Sequence, residues 1–174
     1  MPGKEVVIIG SGDIGLIMAR RFTLEGAKVK AVIEIQSATK GLTRNVVQCL
    51  DDFNIPLYCN HKVKKIFGKD RVEKVRVMRV NPDFSEIPDS VFDIDCDTVL
   101  ISVGLIPENE LIEMAGVEID RVTNTPVSSE VNVTSIPGLF VCGNSYKVYD
   151  LVDNVTKDSE KAGHLAAEYL WKNG

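Results

Sequence analysis

The stretch from Val6 to Glu34, VVIIGSGDIGLIMARRFTLEGAKVKAVIE, restricts the possible fold more than any other part of the chain. Val6, Val7, Ile8 and Ile9 form an unbroken apolar run, the pattern of a parallel strand buried on both faces. Gly10, Gly12 and Gly15 follow in the spacing G-x-G-x-x-G. Gly10 permits a tight turn, Gly12 lets a ligand pyrophosphate approach the backbone, and Gly15 lets a helix pack close to the sheet. The helix opened by Ser11, Asp13 and Ile14 presents unpaired N–H groups and the positive end of its dipole, which suit a phosphate. Ile14, Ile17, Met18 and Phe22 fall on one helical face, and Gly26 is placed to end the helix in a left-handed conformation. Val29, Ala31, Val32 and Ile33 make a second strand. Glu34 ends it, about twenty residues past Gly15, where an acid accepts from a ribose hydroxyl.

A glycine spacing alone is weak evidence, but here it follows a strand, opens a helix and has its acid in place. The stretch therefore reads as a dinucleotide-binding unit, against the alternative of a glycine-rich βα turn in another α/β protein. A Glu at position 34 accepts from a 2′-hydroxyl and repels a 2′-phosphate, so NAD is expected over NADP. Lys40 and Arg44 follow and keep a phosphate within reach. Asp13 sits beside the pyrophosphate position, where its charge is unfavourable unless it points away.

The chain has 174 residues, enough for one domain or two small ones, and its 44% hydrophobic content supports a core. No apolar stretch approaches membrane-spanning length, and no signal peptide pattern opens the chain. A net charge of −5 supplies no basic face for nucleic acid. Cys49, Cys59, Cys96 and Cys142 lie far apart, with no C-x-x-C and no histidine at zinc spacing. They are expected to be small buried residues in a reducing compartment, which places the protein in the cytoplasm.

Beyond Glu34, Thr43 can cap a helix reaching about Phe53, with Val46, Val47, Leu50 and Phe53 on its apolar side. Asn54 and Pro56 end it, and Leu57 to Cys59 reads as a third parallel strand. Val63–Phe67, Val72–Val80 and Val91–Cys96 then read as an antiparallel meander. Its basic residues, among them Lys62, Lys64, Lys65, Lys74 and Arg76, alternate with apolar residues and acids, the pattern of a solvated sheet face. Thr98 to Val103 reads as a buried parallel strand ended by Gly104, where a cofactor could come close to the backbone.

In the second half a short helix spans Glu110 to Ala115, stopped by Gly116. Strands are expected around Val117–Ile119, near Val127 and over Val131–Val133. Leu139 to Cys142 reads as a short buried strand with Gly143 and Asn144 at its carboxyl end, the edge where open α/β sheets bind ligands. A last helix starts near Leu151–Asp153 and runs to about Trp171. Val155, Ala162, Ala166 and Tyr169 or Leu170 line its packed face, and Ala162, Gly163, Ala166 and Ala167 would let it lie close to a strand.

The order of a glycine fingerprint, a meander, D-T-V-L-I-S-V-G-L-I-P-E-N and S-I-P-G-L-F-V-C-G-N before a final helix resembles the pyridine-nucleotide-disulfide oxidoreductase family of flavoproteins, in the two-domain style of thioredoxin reductase. GLTRN, LDDFNIPLY, SVGLIPENEL and VYDLVDNV are similar to the FAD-dependent, NAD-linked oxidoreductases found alongside anaerobic glycerol-3-phosphate dehydrogenases. The resemblance implies a Rossmann-like NAD domain over residues 1–107 and the returning part of a FAD domain over 108–174. It implies NAD at Gly10 to Gly15, Glu34 and Gly104. It implies the flavin's ribityl and phosphate part at Gly143 and Asn144, and the flavin ring before the last helix, near Leu151 and Val152. The family has an earlier glycine fingerprint for the ADP part of FAD, whereas here Met1-Pro2-Gly3 leads straight into the NAD domain. The chain therefore reads as the back portion of a longer protein. The family usually has an acid where Asn144 stands, and no C-x-x-C supports thiol reduction.

The expected activity is that of an NADH-dependent FAD oxidoreductase, present as a fragment, passing hydride from a nicotinamide cofactor to FAD and on to an unidentified acceptor. No acid–base or nucleophilic residue is assigned; His61 and His164 read as structural or surface histidines. The alternative is a non-catalytic NAD-binding module that associates with itself or a partner through apolar surface in residues 108–174. A third reading, a short-chain dehydrogenase with Tyr58 and Lys62 at Y-x-x-x-K spacing, lacks the serine and the helix that this chemistry needs.

Overall fold

The computed structural model describes residues 3–128, 130–149 and 151–174. Met1 and Pro2 of the expected lead-in, and Asp150 of the stretch VYDLVDNV, lie outside them. The chain divides into two compact units, one ending at Gly104 and the other beginning at Leu105.

The first unit runs β1 (Glu5–Ile9), α1 (Asp13–Leu24), β2 (Lys28–Ile33), α2 (Thr43–Cys49), β3 (Leu57–Tyr58), β4 (His61–Phe67), β5 (Lys74–Arg79), β6 (Phe92–Asp95) and β7 (Thr98–Ile101). The parallel sheet has the order β3-β2-β1-β7. Successive strand residues point to opposite faces, and both faces of this sheet are covered. Val6, Ile8 and Val32 pack on one face against Leu16 and Ala19 of α1 and against Leu50 and Ile55. Val7, Ala31 and Ile33 meet Val75 and Val77 of the antiparallel sheet β4-β5-β6, and Cys96 just beyond it, on the other. Two-sided burial explains why β1 is an unbroken apolar run, while β6 alternates half-buried Phe92 and Ile94 with exposed Asp93 and Asp95. The expected α/β arrangement, a parallel sheet with an antiparallel meander, is thus the one adopted.

Some local expectations fail. The inward face of α1 is Gly15, Leu16 and Ala19, whereas Ile14 and Ile17 are exposed. A Cβ on Gly15 would lie 2.6 Å from the Gly10 carbonyl oxygen and 3.3 Å from Ser102 Cβ, so position 15 faces the sheet. That orientation turns Leu16 and Ala19 inward and positions 14 and 17 outward. α2 stops at Cys49, and residues Asp51–Phe53 form a separate 3-10 turn ended by left-handed Asn54; Leu42, not Thr43, is the N-cap of α2. Among the described residues β7 pairs with β1 alone, and Ile101 and Val103 at its end are exposed.

The second unit contains α3 (Glu110–Met114), the two-residue strands β8 (Ile119–Asp120) and β9 (Thr125–Pro126), and α4 (Val152–Asn173). Leu139–Cys142 does not form the expected strand. Among the described residues Phe140 makes one isolated bridge, to Val133, and no parallel neighbour lies beside it. Cys142 is exposed rather than buried. Few large apolar side chains are buried here, chiefly Val117, Ile119 and Val141. Tyr169, edge-on to Phe140 at 5.9 Å, is the packed residue near the end of α4, while Leu170 is exposed. A Cβ on Gly163 would meet nothing within 4 Å, so Gly163 is not a close contact, while Ala162 beside it is buried. No helix among the described residues is long and apolar enough to cross a membrane.

Candidate functional site

The turn between β1 and α1 gives its three glycines three different surroundings. Gly10 has φ +98°, and a Cβ there would lie 2.1 Å from the Ser102 carbonyl oxygen, so both conformation and space demand glycine. Gly15 is the close helix–sheet contact already described. Gly12 is different: it is the N-cap of α1 with φ −67° and ψ 165°, and a Cβ would meet nothing within 4 Å. Nothing inside this unit needs glycine at 12, so open space stands in front of the backbone where α1 begins. The first N–H groups of a helix have no intrahelical acceptor and carry its positive dipole end, which gives Gly12, Asp13 and Ile14 donors for an anion.

Asp13 resolves the difficulty of its charge. Its Oδ1 accepts the Leu42 N–H at 2.8 Å and the Asn45 Nδ2 at 2.7 Å, at the N-terminus of α2. The Asn45 and Leu42 hydrogen bonds hold its carboxyl below the usual aspartate range, with Arg44 adding to the effect. The carboxylate is thus committed to α2.

Glu34 is almost wholly buried at the end of β2, with 4% of its surface exposed. Its Oε2 accepts the Ser11 N–H at 2.9 Å and the Ser11 hydroxyl at 2.6 Å, and its Oε1 accepts the Gln36 N–H at 2.9 Å. Burial alone would raise its pKa, but the hydrogen bonds from Ser11 and Gln36, with the charge of Lys40, outweigh burial and leave it lowered. Glu34 is therefore a carboxylate at neutral pH. Ser11 is itself wholly buried, and its carbonyl accepts Thr39 Oγ1 and Gly41 N, each at 2.9 Å. The loop after β2 is thereby tied to the glycine turn. Gly104 has φ +114° with open space around it.

In the second unit Gly143 is buried and opens a 3-10 turn, Gly143–Ser145. Its N–H donates to Asp158 Oδ2 at 2.8 Å, and its carbonyl accepts from Tyr146 and Lys147. Asn144 is exposed, and its Oδ1 accepts the Tyr149 N–H at 3.2 Å. Leu151, the N-cap of α4, and Val152 are both exposed. Asp158 is the residue that the reading of the sequence missed. It is 5% exposed and accepts Asn132 Nδ2 at 3.0 Å in addition to Gly143. The signal was its place between Val155 and Ala162 on one helical face, where a charged residue must find partners.

The remaining candidates have structural roles. His61 packs its ring on Tyr58 and Phe92, and its Nδ1 lies 2.7 Å from the Cys59 carbonyl oxygen. Tyr58 and Lys62 do not act together, since Lys62 pairs with Glu86 at 2.9 Å. On the outer face of the meander Lys64 also pairs with Glu86, and Lys74 and Arg76 share Asp93. Burial raises the thiols of Cys49, Cys59 and Cys96, which keeps them protonated. No group of three or more metal-ligating side chains occurs among the described residues.

A parallel sheet with a meander on one face, and a glycine turn whose buried acid stands at the end of the next strand, define a Rossmann-like α/β architecture. The chain belongs to the family described as pyridine nucleotide-disulphide oxidoreductase, which matches residues 1–159. It is 27% identical over 162 residues to an NADH oxidase of Streptococcus pyogenes serotype M6, covering 90% of this chain and 32% of that protein. It is 30% identical over 146 residues to an NAD(P)H sulfur oxidoreductase (CoA-dependent) of Pyrococcus abyssi, covering 81% of this chain and 30% of that protein. The chain thus spans about a third of the length of the curated relatives it matches. Among solved structures, thioredoxin reductase of T. acidophilum superposes with a TM-score of 0.77 at 27% identity, covering 98% of this chain and 53% of that one.

Proposed function

We propose that this chain binds NADH in the turn Gly10–Gly15 and serves, within a longer flavoprotein, as the nicotinamide-binding part of an oxidoreductase. The observation that carries the reading is the open backbone at Gly12 beside an ionised Glu34. The N–H groups that begin α1 bind the pyrophosphate, and Glu34 accepts from the adenosine ribose. A 2′-phosphate would place further negative charge against a buried carboxylate, so NADH is preferred to NADPH. When bound, the nicotinamide and flavin supply hydride transfer and onward electron transfer to an acceptor. For the flavin, Asn144 offers its exposed amide, whose Nδ2 has no partner among the described residues, and the N-terminus of α4 offers donors beside exposed Leu151 and Val152, while the Gly143 N–H is given to Asp158. Gly104 gives the cofactor a close approach beyond β7. The domain division near residue 107 and a cytoplasmic location belong to the same reading.

Calorimetric titration of the whole chain with NADH, NADPH and FAD tests it. NADH binding with weaker NADPH binding is expected. Failure to bind either dinucleotide, or tighter binding of NADPH, overturns it. The exposed Leu111, Met114, Val152 and Trp171 favour a second role in association. Light scattering should then show self-association, and a monomer at high concentration sinks that role.

A further inference from the structure

We propose that Ser11 is a positioning residue rather than a phosphate ligand: its hydroxyl holds the Glu34 carboxylate so that a single acceptor position, on Oε1, is left for a ligand, and this sets the discrimination between a 2′-hydroxyl and a 2′-phosphate. The inference rests on the NADH reading above and goes beyond it in assigning the selectivity to residue 11.

An ionised carboxylate offers about four acceptor positions, two on each oxygen. In Glu34 both on Oε2 are taken by Ser11, through its N–H at 2.9 Å and its hydroxyl at 2.6 Å. One on Oε1 is taken by the Gln36 N–H at 2.9 Å. Only a group that donates can use the position that remains. A ribose hydroxyl donates. A phosphate dianion does not, and it brings like charge to a side chain that is almost wholly buried. Ser11 has no donor left for a pyrophosphate, because its N–H and its hydroxyl hydrogen both go to Glu34. It has no freedom to turn away either: it is wholly buried, its Oγ accepts the Lys40 N–H at 3.3 Å, and its carbonyl is bound by Thr39 and Gly41. Without the hydroxyl the terminal torsion of Glu34, intrinsically broad, loses its strongest restraint, so Oε1 is no longer held toward the ribose: NADH loses its hydrogen bond, while NADPH, which makes none there, is little changed. The carboxylate then protonates more easily.

The test is titration of the full chain and of Ser11→Ala with NADH and NADPH across the acid range. In the unmutated chain NADH affinity should persist through the ordinary glutamate range and fall only below it. In Ser11→Ala the ratio of NADPH to NADH dissociation constants should drop about tenfold, the effect of one charge-assisted hydrogen bond. The acid fall in NADH affinity should also move to higher pH, a change that a merely structural role would not produce. An unchanged ratio and pH profile, in a chain that still prefers NADH, overturns the role of Ser11 and leaves the NADH reading standing. A chain that binds neither dinucleotide overturns both. If Ser11→Ala does not fold, carbon-13 titration of the Glu34 carboxyl in the unmutated chain decides. A midpoint below the ordinary glutamate range supports the clamp, and an ordinary or raised one refutes it.

Discussion

Gly10 and Gly12 are two residues apart in one turn, yet alanine at each should have opposite consequences. At Gly10 the added Cβ would lie 2.1 Å from the Ser102 carbonyl oxygen and 2.7 Å from its carbon, both backbone atoms that cannot swing aside. The φ of +98° adds a left-handed penalty. Strained φ costs roughly 1–3 kcal/mol and overpacking a similar amount, so Gly10→Ala should lose about 4 kcal/mol. For a chain of this size that is a fall in melting temperature of at least about 8 °C. At Gly12 the Cβ meets nothing, and φ −67°, ψ 165° is open to any residue. Alanine is a poorer N-cap than glycine, but removing a glycine from the unfolded chain returns about 0.4–1 kcal/mol. Gly12→Ala should therefore melt within about 4 °C of the unmutated chain. Its methyl group stands where the pyrophosphate should lie. The loss of one or two charge-assisted hydrogen bonds should weaken NADH binding at least about tenfold. Thermal melts followed by circular dichroism, with NADH titration of each folded variant, check both halves. The reasoning is refuted if Gly12→Ala melts as low as Gly10→Ala, or if it binds NADH within threefold of the unmutated chain.

Asp158→Asn keeps the volume of the side chain but loses its charge to the donors of Asn132 and Gly143, and should destabilise the second unit by roughly 1.5–3 kcal/mol at neutral pH. Burial raises the Asp158 carboxyl, yet hydrogen bonds from Asn132, Gly143 and Tyr149, with the charge of Lys161, leave it below its ordinary 3.8. A depressed folded pKa means that the contribution is full above the unfolded pKa and fades as pH falls through the folded one. Amide hydrogen exchange over residues 131–149 and 151–158 should therefore show the variant's deficit at pH 7, with the difference shrinking as the pH falls below the ordinary aspartate range; a deficit independent of pH contradicts the assignment. Of the cysteines, exposed Cys142 should alkylate rapidly in the native chain, while Cys49, Cys59 and Cys96 react slowly because burial raises their thiols. Mass spectrometry that finds Cys59 modified as fast as Cys142 counts against that view.

The β1–α1–β2 unit was legible because its signals are local: an apolar run, glycines at fixed spacing and an acid at the strand end. The meander was legible from its turn residues and from the alternation of Phe92, Ile94 and Cys96 with Asp93, Asp95 and Asp97. The inward face of α1 was misread because hydrophobic periodicity weighs Ile14 and Ile17 and overlooks Gly15 and Ala19, whose smallness is what admits the helix to the sheet. Leu139–Cys142 has the composition of a strand, but a strand exists only where a neighbour pairs with it over several residues, and among the described residues the pairing is one isolated bridge, Phe140 to Val133, flanked by the bonds Thr134 N–H to Leu139 and Val141 N–H to Asn132. The links that shape the candidate site join residues far apart in sequence. Ser11 meets Glu34 across 23 positions and Asp13 meets Asn45 across 32. No motif encodes such pairings, and neither residue's composition or spacing announces them. Asp158 was hidden for the opposite reason: an aspartate on a long amphipathic helix reads as solvated until its face is counted residue by residue.

Asp13 belongs to the first turn of α1 but serves the start of α2. The glycine fingerprint leaves that position unconstrained, so one would expect it to drift freely during evolution. Its bonds to the Leu42 N–H and the Asn45 amide remove that freedom. A replacement at 13 strips two donors of their acceptor, and a replacement at 45 leaves the carboxylate, at the N-terminal end of α1, with one anchor fewer. Viable histories should therefore change 13 and 45 as a pair, and the variation tolerated at an apparently neutral site in the glycine turn is set by a helix that begins some thirty residues further along the chain.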